Sequence, residues 1–201
     1  MSSLRRDYHG LLRVGEVLHQ VRFVIDPATG DPVTVVPVHA FEQGGDAAAV
    51  TLHVPDDGPL AVHVLGHLEP LDTDRDAVCD RYLIYHGPPS GRENKPRWAR
   101  LLVDSIKQER TVIDRDEFAL GTPLAPRAPA FCKAMHTGRD RLARICGRAT
   151  GTTPESPLVV GVDPMGIDVR ARLGVMRVEF PAVCTSIEAV EQVLAAMEGG
   201  R

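Results

Sequence analysis

Val21-Arg-Phe-Val-Ile25, Asp26-Pro-Ala-Thr-Gly-Asp31 and Pro32-Val-Thr-Val-Val-Pro-Val-His39 decide the fold. Two β-branched runs flank a turn built from Pro, Gly and Asp, and that pattern makes a hairpin. Ala49-Val-Thr-Leu-His-Val54 and Leu60-Ala-Val-His-Val-Leu-Gly-His-Leu-Glu69 repeat it around Pro55-Asp-Asp-Gly-Pro59. Four short strands at close spacing predict a small barrel or sandwich. Asp72 is expected to cap the helix that follows, with Val78, Tyr82 and Tyr85 on its apolar side. Arg97–Ile113 reads as strands returning along the barrel edge.

The second half changes period. Phe131, Met135, Gly138, Leu142 and Ile145 recur at spacings of three and four, which predicts one amphipathic helix over residues 130–148. Leu158–Asp163, Ile167–Arg172 and Val175–Phe180 read as strands, the first two joined by a type I turn at Asp163-Pro-Met-Gly166. Thr185-Ser-Ile-Glu188 has the pattern of a capping box, opening a helix with the stripe Ile187, Val190, Leu194 and Met197. Three prolines within Thr122–Pro129 mark a linker. The expected architecture is α+β. A barrel over residues 1–121 is followed by a linker at 122–129 and a small α-β-β-β-α domain over 130–201.

Composition narrows the function. The chain has 201 residues, 25% of them charged, and a formal net charge of −4, which argues against a nucleic-acid partner. No apolar run approaches the ~20 residues that cross a bilayer. The amino-terminal residues lack the apolar core of a secretory signal, so a cytoplasmic protein is expected. The 20 Arg against 3 Lys point to a GC-rich bacterial genome. Cys79, Cys132, Cys146 and Cys184 form no CxxC pair. Cys132 and Cys146 on one helix would stand about 21 Å apart, well beyond disulfide reach.

Candidate chemistry starts with histidine. Five of the eight, His19, His39, His53, His63 and His67, fall in or beside the β-rich block. His63 and His67 share one strand face, about 13 Å apart, too far to share a metal ion, so no metal centre is expected. Each is suited to serve as a single axial ligand to haem, against a plain reading as a polar-face side chain. On the later helix Arg141, Arg144 and Arg148 form a basic face, with His136 and Asp140 on its flank. Those guanidiniums suit an anion such as a propionate or phosphate, against a plain reading as a solvated face. The acidic run Asp72-Thr-Asp-Arg-Asp76 lacks the Gly and Glu of a calcium loop, and no GxGxxG, GxSxG or Walker motif occurs.

Met135-His136-Thr-Gly-Arg-Asp140, Val160-Gly-Val-Asp-Pro-Met-Gly-Ile-Asp-Val169 and Arg177-Val-Glu-Phe-Pro181 resemble the carboxy-terminal domain of haem-utilisation proteins. Phe23–Val33 and Ala61–Pro70 resemble strands of the barrel that precedes it there, a split barrel similar to pyridoxamine 5′-phosphate oxidases and other FMN-binding barrels. The resemblance spans most of residues 10–198. It implies a split β-barrel, a homodimer paired along an unclosed barrel edge, and haem or FMN as cofactor. His63, His67, His136, Arg141 and Arg144 are the candidate cofactor-binding residues. Two features depart from the pattern: Arg141 stands where the family has a second His, and Phe41–Ala49 carries no basic residue to hold an FMN phosphate. The leading expectation is a haem- or flavin-associated binding protein. The alternatives are a cofactor-free interaction or regulatory protein on the same barrel and an FMN-dependent oxidoreductase.

Overall fold

The computed structural model describes residue 4 and residues 7–42, 49–55, 61–72, 76–89, 96–117, 122–172 and 174–199. The turn after Pro55, residues 43–48 of the Phe41–Ala49 connection, residues 73–75 of the acidic run, and Ser90 and Gly91 lie outside them. The chain divides into two compact units, Met1–Leu120 and Gly121–Arg201.

The first unit comprises β1 (His9–Val14), β2 (Val17–Ile25), β3 (Pro32–Pro37), α1 (His39–Glu42), β4 (Ala49–Val54), β5 (Val62–Pro70), α2 (Ala77–His86), β6 (Pro96–Gln108) and β7 (Thr111–Asp114). The strand order is β3-β2-β1-β4-β5-β6-β7, and a further β3–β6 ladder closes six of them into a barrel with β7 outside the ring. Pro96–Arg100 of β6 pairs with β3, Ala99–Gln108 with β5, and Ser105–Gln108 with β7. Among the described residues the open barrel edge expected to pair with a second copy is therefore absent, since β3 and β6 are joined. β6 is long enough to turn back onto β3 and satisfy the backbone groups of that edge.

Alternation along the strands fills the barrel. Val50, Leu52 and Val54 of β4, Val62 and Val64 of β5, and Leu12, Val21, Phe23 and Leu101 form one buried cluster. Val17 and Leu18 at the start of β2 are exposed, whereas α2 packs against β2 and β3, and Val24 and Val33, which lie outside the barrel cluster, are fully buried. This explains why Val33-Thr-Val-Val36 reads as a continuous apolar run. β1 was not legible in sequence. It is a short strand between Gly10 and the Gly15-Glu16 turn, where Gly15 takes φ 59°, and its register with β2 comes from that turn.

The helix cap also differs from expectation. Asp76, not Asp72, opens α2, its Oδ1 accepting the Val78 N–H at 3.2 Å. The other oxygen, Oδ2, accepts from Arg100 at 3.1 Å, so an ion pair with β6 fixes where the helix starts.

The second unit comprises α3 (Ala128–Met135), α4 (Arg139–Thr150), β8 (Leu158–Asp163), β9 (Gly166–Ala171), β10 (Gly174–Glu179) and α5 (Ile187–Gly199), with strand order β10-β9-β8. The single helix expected over 130–148 is two. Gly138, at φ −112° and ψ 45°, leaves the helical region and becomes the cap of α4. Cys132 and Cys146 thus sit on separate helices, and all four cysteines are free thiols. Leu142, Ile145, Val159, Ile167, Val169, Val178 and Leu194 form the core. Leu124, within the Pro-rich stretch, is 2% exposed and belongs to the same cluster. The α5 cap is Ser186, whose Oγ accepts the Ala189 N–H at 3.2 Å, one residue later than the Thr185 expected.

Gly66 sits where β5 and β6 shift register, and a Cβ there would strike the Leu102 carbonyl. Gly66→Ala should cost about 1–3 kcal/mol in urea denaturation. An unchanged midpoint would show that the ladder yields at that point.

Candidate functional site

The inward residues of β4 and β5 decide what faces out. With Val50, Leu52, Val54, Val62 and Val64 in the core, Thr51, His53, His63, Leu65 and His67 lie on the outer surface of the barrel. Register sets His53 opposite His63, and the two rings meet edge to face with centroids 4.7 Å apart. His53 is buried and His63 half-buried, while Leu65 between His63 and His67 is 38% exposed. Lys107 stands opposite His63 on β6.

Leu65 pairs with Ser105 and Gly66 with Val103, so Asp104 is the extra residue of a β-bulge on β6. Its Oδ2 lies 3.7 Å from His67 Nδ1. That separation is longer than a hydrogen bond, and both side chains are solvent-accessible. Asp104 escaped the sequence reading because a bulge leaves no signature in a run such as Leu102-Val-Asp-Ser105.

His136, Arg141 and Arg144 belong to the second unit. His136 is exposed in the turn between α3 and α4. Arg141 Nε and an Arg144 guanidinium N–H each donate to the Glu198 carboxylate of α5, both at 2.7 Å. Arg148 donates to the carbonyls of Met197 and Glu198. The basic face thus holds the end of a helix whose final carbonyls attract cations. Arg144, followed by Arg141, keeps the Glu198 carboxyl below its ordinary range.

The Asp163-Pro-Met-Gly166-Ile-Asp168 stretch has a structural use. Arg177 of β10, 6% exposed, donates to Asp163 at 2.6 Å and to Asp168 at 3.0 Å. Asp163 also accepts the Met165 N–H at 2.7 Å, which shapes the turn. A Cβ on Gly166 would strike the Val178 carbonyl, so only Gly lets β9 and β10 approach here. Three charged groups from three strands hold the small sheet in register.

A second polar hub ties the first unit together. Asp26 and Asp31 bracket the β2–β3 turn. Arg100 bridges Asp26 at 2.9 Å and Asp76 at 3.1 Å, while the buried Asp31 accepts from the Val103 N–H and Arg115, both at 3.2 Å. Under α2, Tyr82 meets Trp98 and Tyr85 meets Tyr8, each with ring centroids 5.0 Å apart. His86 Nε2 lies 2.8 Å from the Phe23 carbonyl. Burial pushes the Cys79 and Cys146 thiols up to about 11, which removes both as nucleophiles at neutral pH.

These features define a closed six-stranded antiparallel barrel with an imidazole row on its outer face, joined to a small α+β unit. No family model and no curated protein matches the chain. Among solved structures it is similar to a protein of unknown function from Agrobacterium tumefaciens, at 17% identity and a TM-score of 0.71, over 98% of this chain and 92% of that one. That likeness is one of fold. A heme binding protein from Mycobacterium smegmatis aligns at 16% identity over 98% of this chain and 93% of that one, with a TM-score of 0.40. Among the described residues no helix is long and apolar enough to cross a membrane.

Removing one member of a buried ion cluster leaves its partner uncompensated, so Asp168→Asn should cost roughly 3–5 kcal/mol of stability in chemical denaturation. A loss under 1 kcal/mol would show that water or backbone replaces the pair.

Burial, with Arg22 and His9 nearby, holds the His86 imidazole below its ordinary value of 6.5, and burial with His39 does the same for His19. The unfolded chain therefore takes up these protons at a higher pH than the folded one. Stability is full above about pH 7 and falls as the pH drops below the ordinary imidazole value. His86→Gln should flatten the decline below about pH 6.5, measured as thermal midpoint against pH. A variant with the same slope as the parent would remove His86 from that dependence.

Proposed function

We propose that this chain is a haem-associated binding protein of the split-barrel class, in which His67 is the axial ligand on the outer barrel face. The observation that carries the reading is the His67–Asp104 pair, an imidazole whose Nδ1 lies 3.7 Å from a carboxylate, an arrangement that favours Nε2 as the donor to iron. Leu65 supplies apolar contact for a flat macrocycle, and Lys107 supplies a cation for a propionate. His63 is too far along the strand to ligate the same iron and acts with His53 as a wall of the ledge. The resemblance of the sequence to haem-utilisation barrels supports the same class. The homodimer belongs to this reading, paired through a surface other than an open barrel seam.

A second reading is favoured by the second unit. The arginines suited to an anion are held by Glu198, as in a cofactor-free interaction protein that keeps the barrel for its shape.

Titration with haemin, followed in the Soret region, separates them. The parent should give a saturable shift, His67→Ala should weaken it at least tenfold, and Asp104→Asn should weaken it less. No shift with the parent, or an unchanged one in His67→Ala, sinks the proposed site. Quenching of FMN fluorescence without a haemin response would move the reading to a flavin.

A further inference from the structure

The geometry points to a site for a zinc-type divalent ion at one end of the barrel, formed by His19 of β2 and His39 of α1, distinct from the outer imidazole row. Register brings the two residues together. The β2–β3 ladder runs as far as Phe23 and Thr34, and beyond it His19 lies near the start of β2 while His39 opens α1 just after β3. Val21 and Phe23 point into the barrel, so His19 belongs to the inward set, at its rim. The rings of His19 and His39 have centroids 5.4 Å apart and are tilted by 51°.

That separation has chemical content. A tetrahedral ion held about 2.1 Å from one nitrogen of each imidazole places the ring centres roughly 5 Å apart. A bare nitrogen distinguishes this pair from two rings that merely pack. His19 Nε2 is buried and has no hydrogen-bond partner among the described residues. A buried imidazole nitrogen left bare is costly, and an ion or water is what normally completes it. Burial, with His39 beside it, lowers the His19 imidazole from its ordinary value and so favours the neutral form whose lone pair can bind a metal.

Two imidazoles select the ion. Nitrogen donors suit zinc, copper or nickel, whereas calcium and magnesium require oxygen. Among the described residues no group of three or more His, Cys, Asp or Glu side chains could hold a metal, so water completes the coordination. Such a site is open and exchangeable, and the bound ion would clip α1 to β2.

Zinc chloride titrated calorimetrically into the metal-free chain should give one saturable site. His19→Gln and His39→Gln should each weaken it at least tenfold, while His9→Gln, at the exposed start of β1, leaves it unchanged. Zinc binding that survives in the His19→Gln/His39→Gln double variant overturns the assignment, as does an absence of saturable binding in the parent. Should the variants fold poorly, modification of the parent by diethyl pyrocarbonate, mapped by mass spectrometry, decides the matter. Zinc should protect His19 and His39, and equal labelling with and without zinc would count against the site.

Discussion

The thirteen residues of β6 hold the first unit together. One end pairs with β3, most of the length with β5, and the other end with β7. Without the β3 ladder the six strands would form an open curved sheet with two unsatisfied edges. The same strand carries Arg100, which holds the β2–β3 turn through Asp26 and the start of α2 through Asp76. Closure, turn and helix therefore depend on one strand, and the aromatic layer of Tyr82 and Trp98 lies where that strand passes under α2.

Val, Leu and Phe fill the interior of the barrel, and the two proposed sites accordingly lie on its outer face and at its rim. On the outer face the β6 bulge brings Asp104 to His67. At the rim the start of β2 comes near the start of α1, and two imidazoles come together. In the second unit charge is spent on architecture: Arg177 with two aspartates locks the sheet, and three arginines hold the end of α5.

Much of the fold was legible because it follows from period and turn chemistry. The β2–β3 turn, the alternation of β4 and β5, and the stripe of α5 each announce themselves within a dozen residues. Where the reading slipped, a contact distant in sequence made the decision. Asp76 displaced Asp72 as helix cap because Arg100 reaches it across the sheet. The helix over 130–148 breaks at Gly138, whose backbone leaves the helical region although the apolar stripe runs straight through it. Ser186 rather than Thr185 caps α5, a one-residue difference that the capping pattern does not resolve. β1 has too few apolar residues to stand out and exists because β2 and β4 pair on either side of it.

By itself the amino-acid order determined the α+β class, the alternating faces of β4 and β5, and the placing of His63 and His67 on one side of a strand. These are local consequences of the two-residue repeat of a pleated chain. Only the tertiary structure decided that the barrel closes, that Asp104 stands beside His67, that Glu198 takes up Arg141 and Arg144, and that His19 meets His39. Each of those joins residues from separate elements, and their meeting is set by register and bulges that no local pattern encodes.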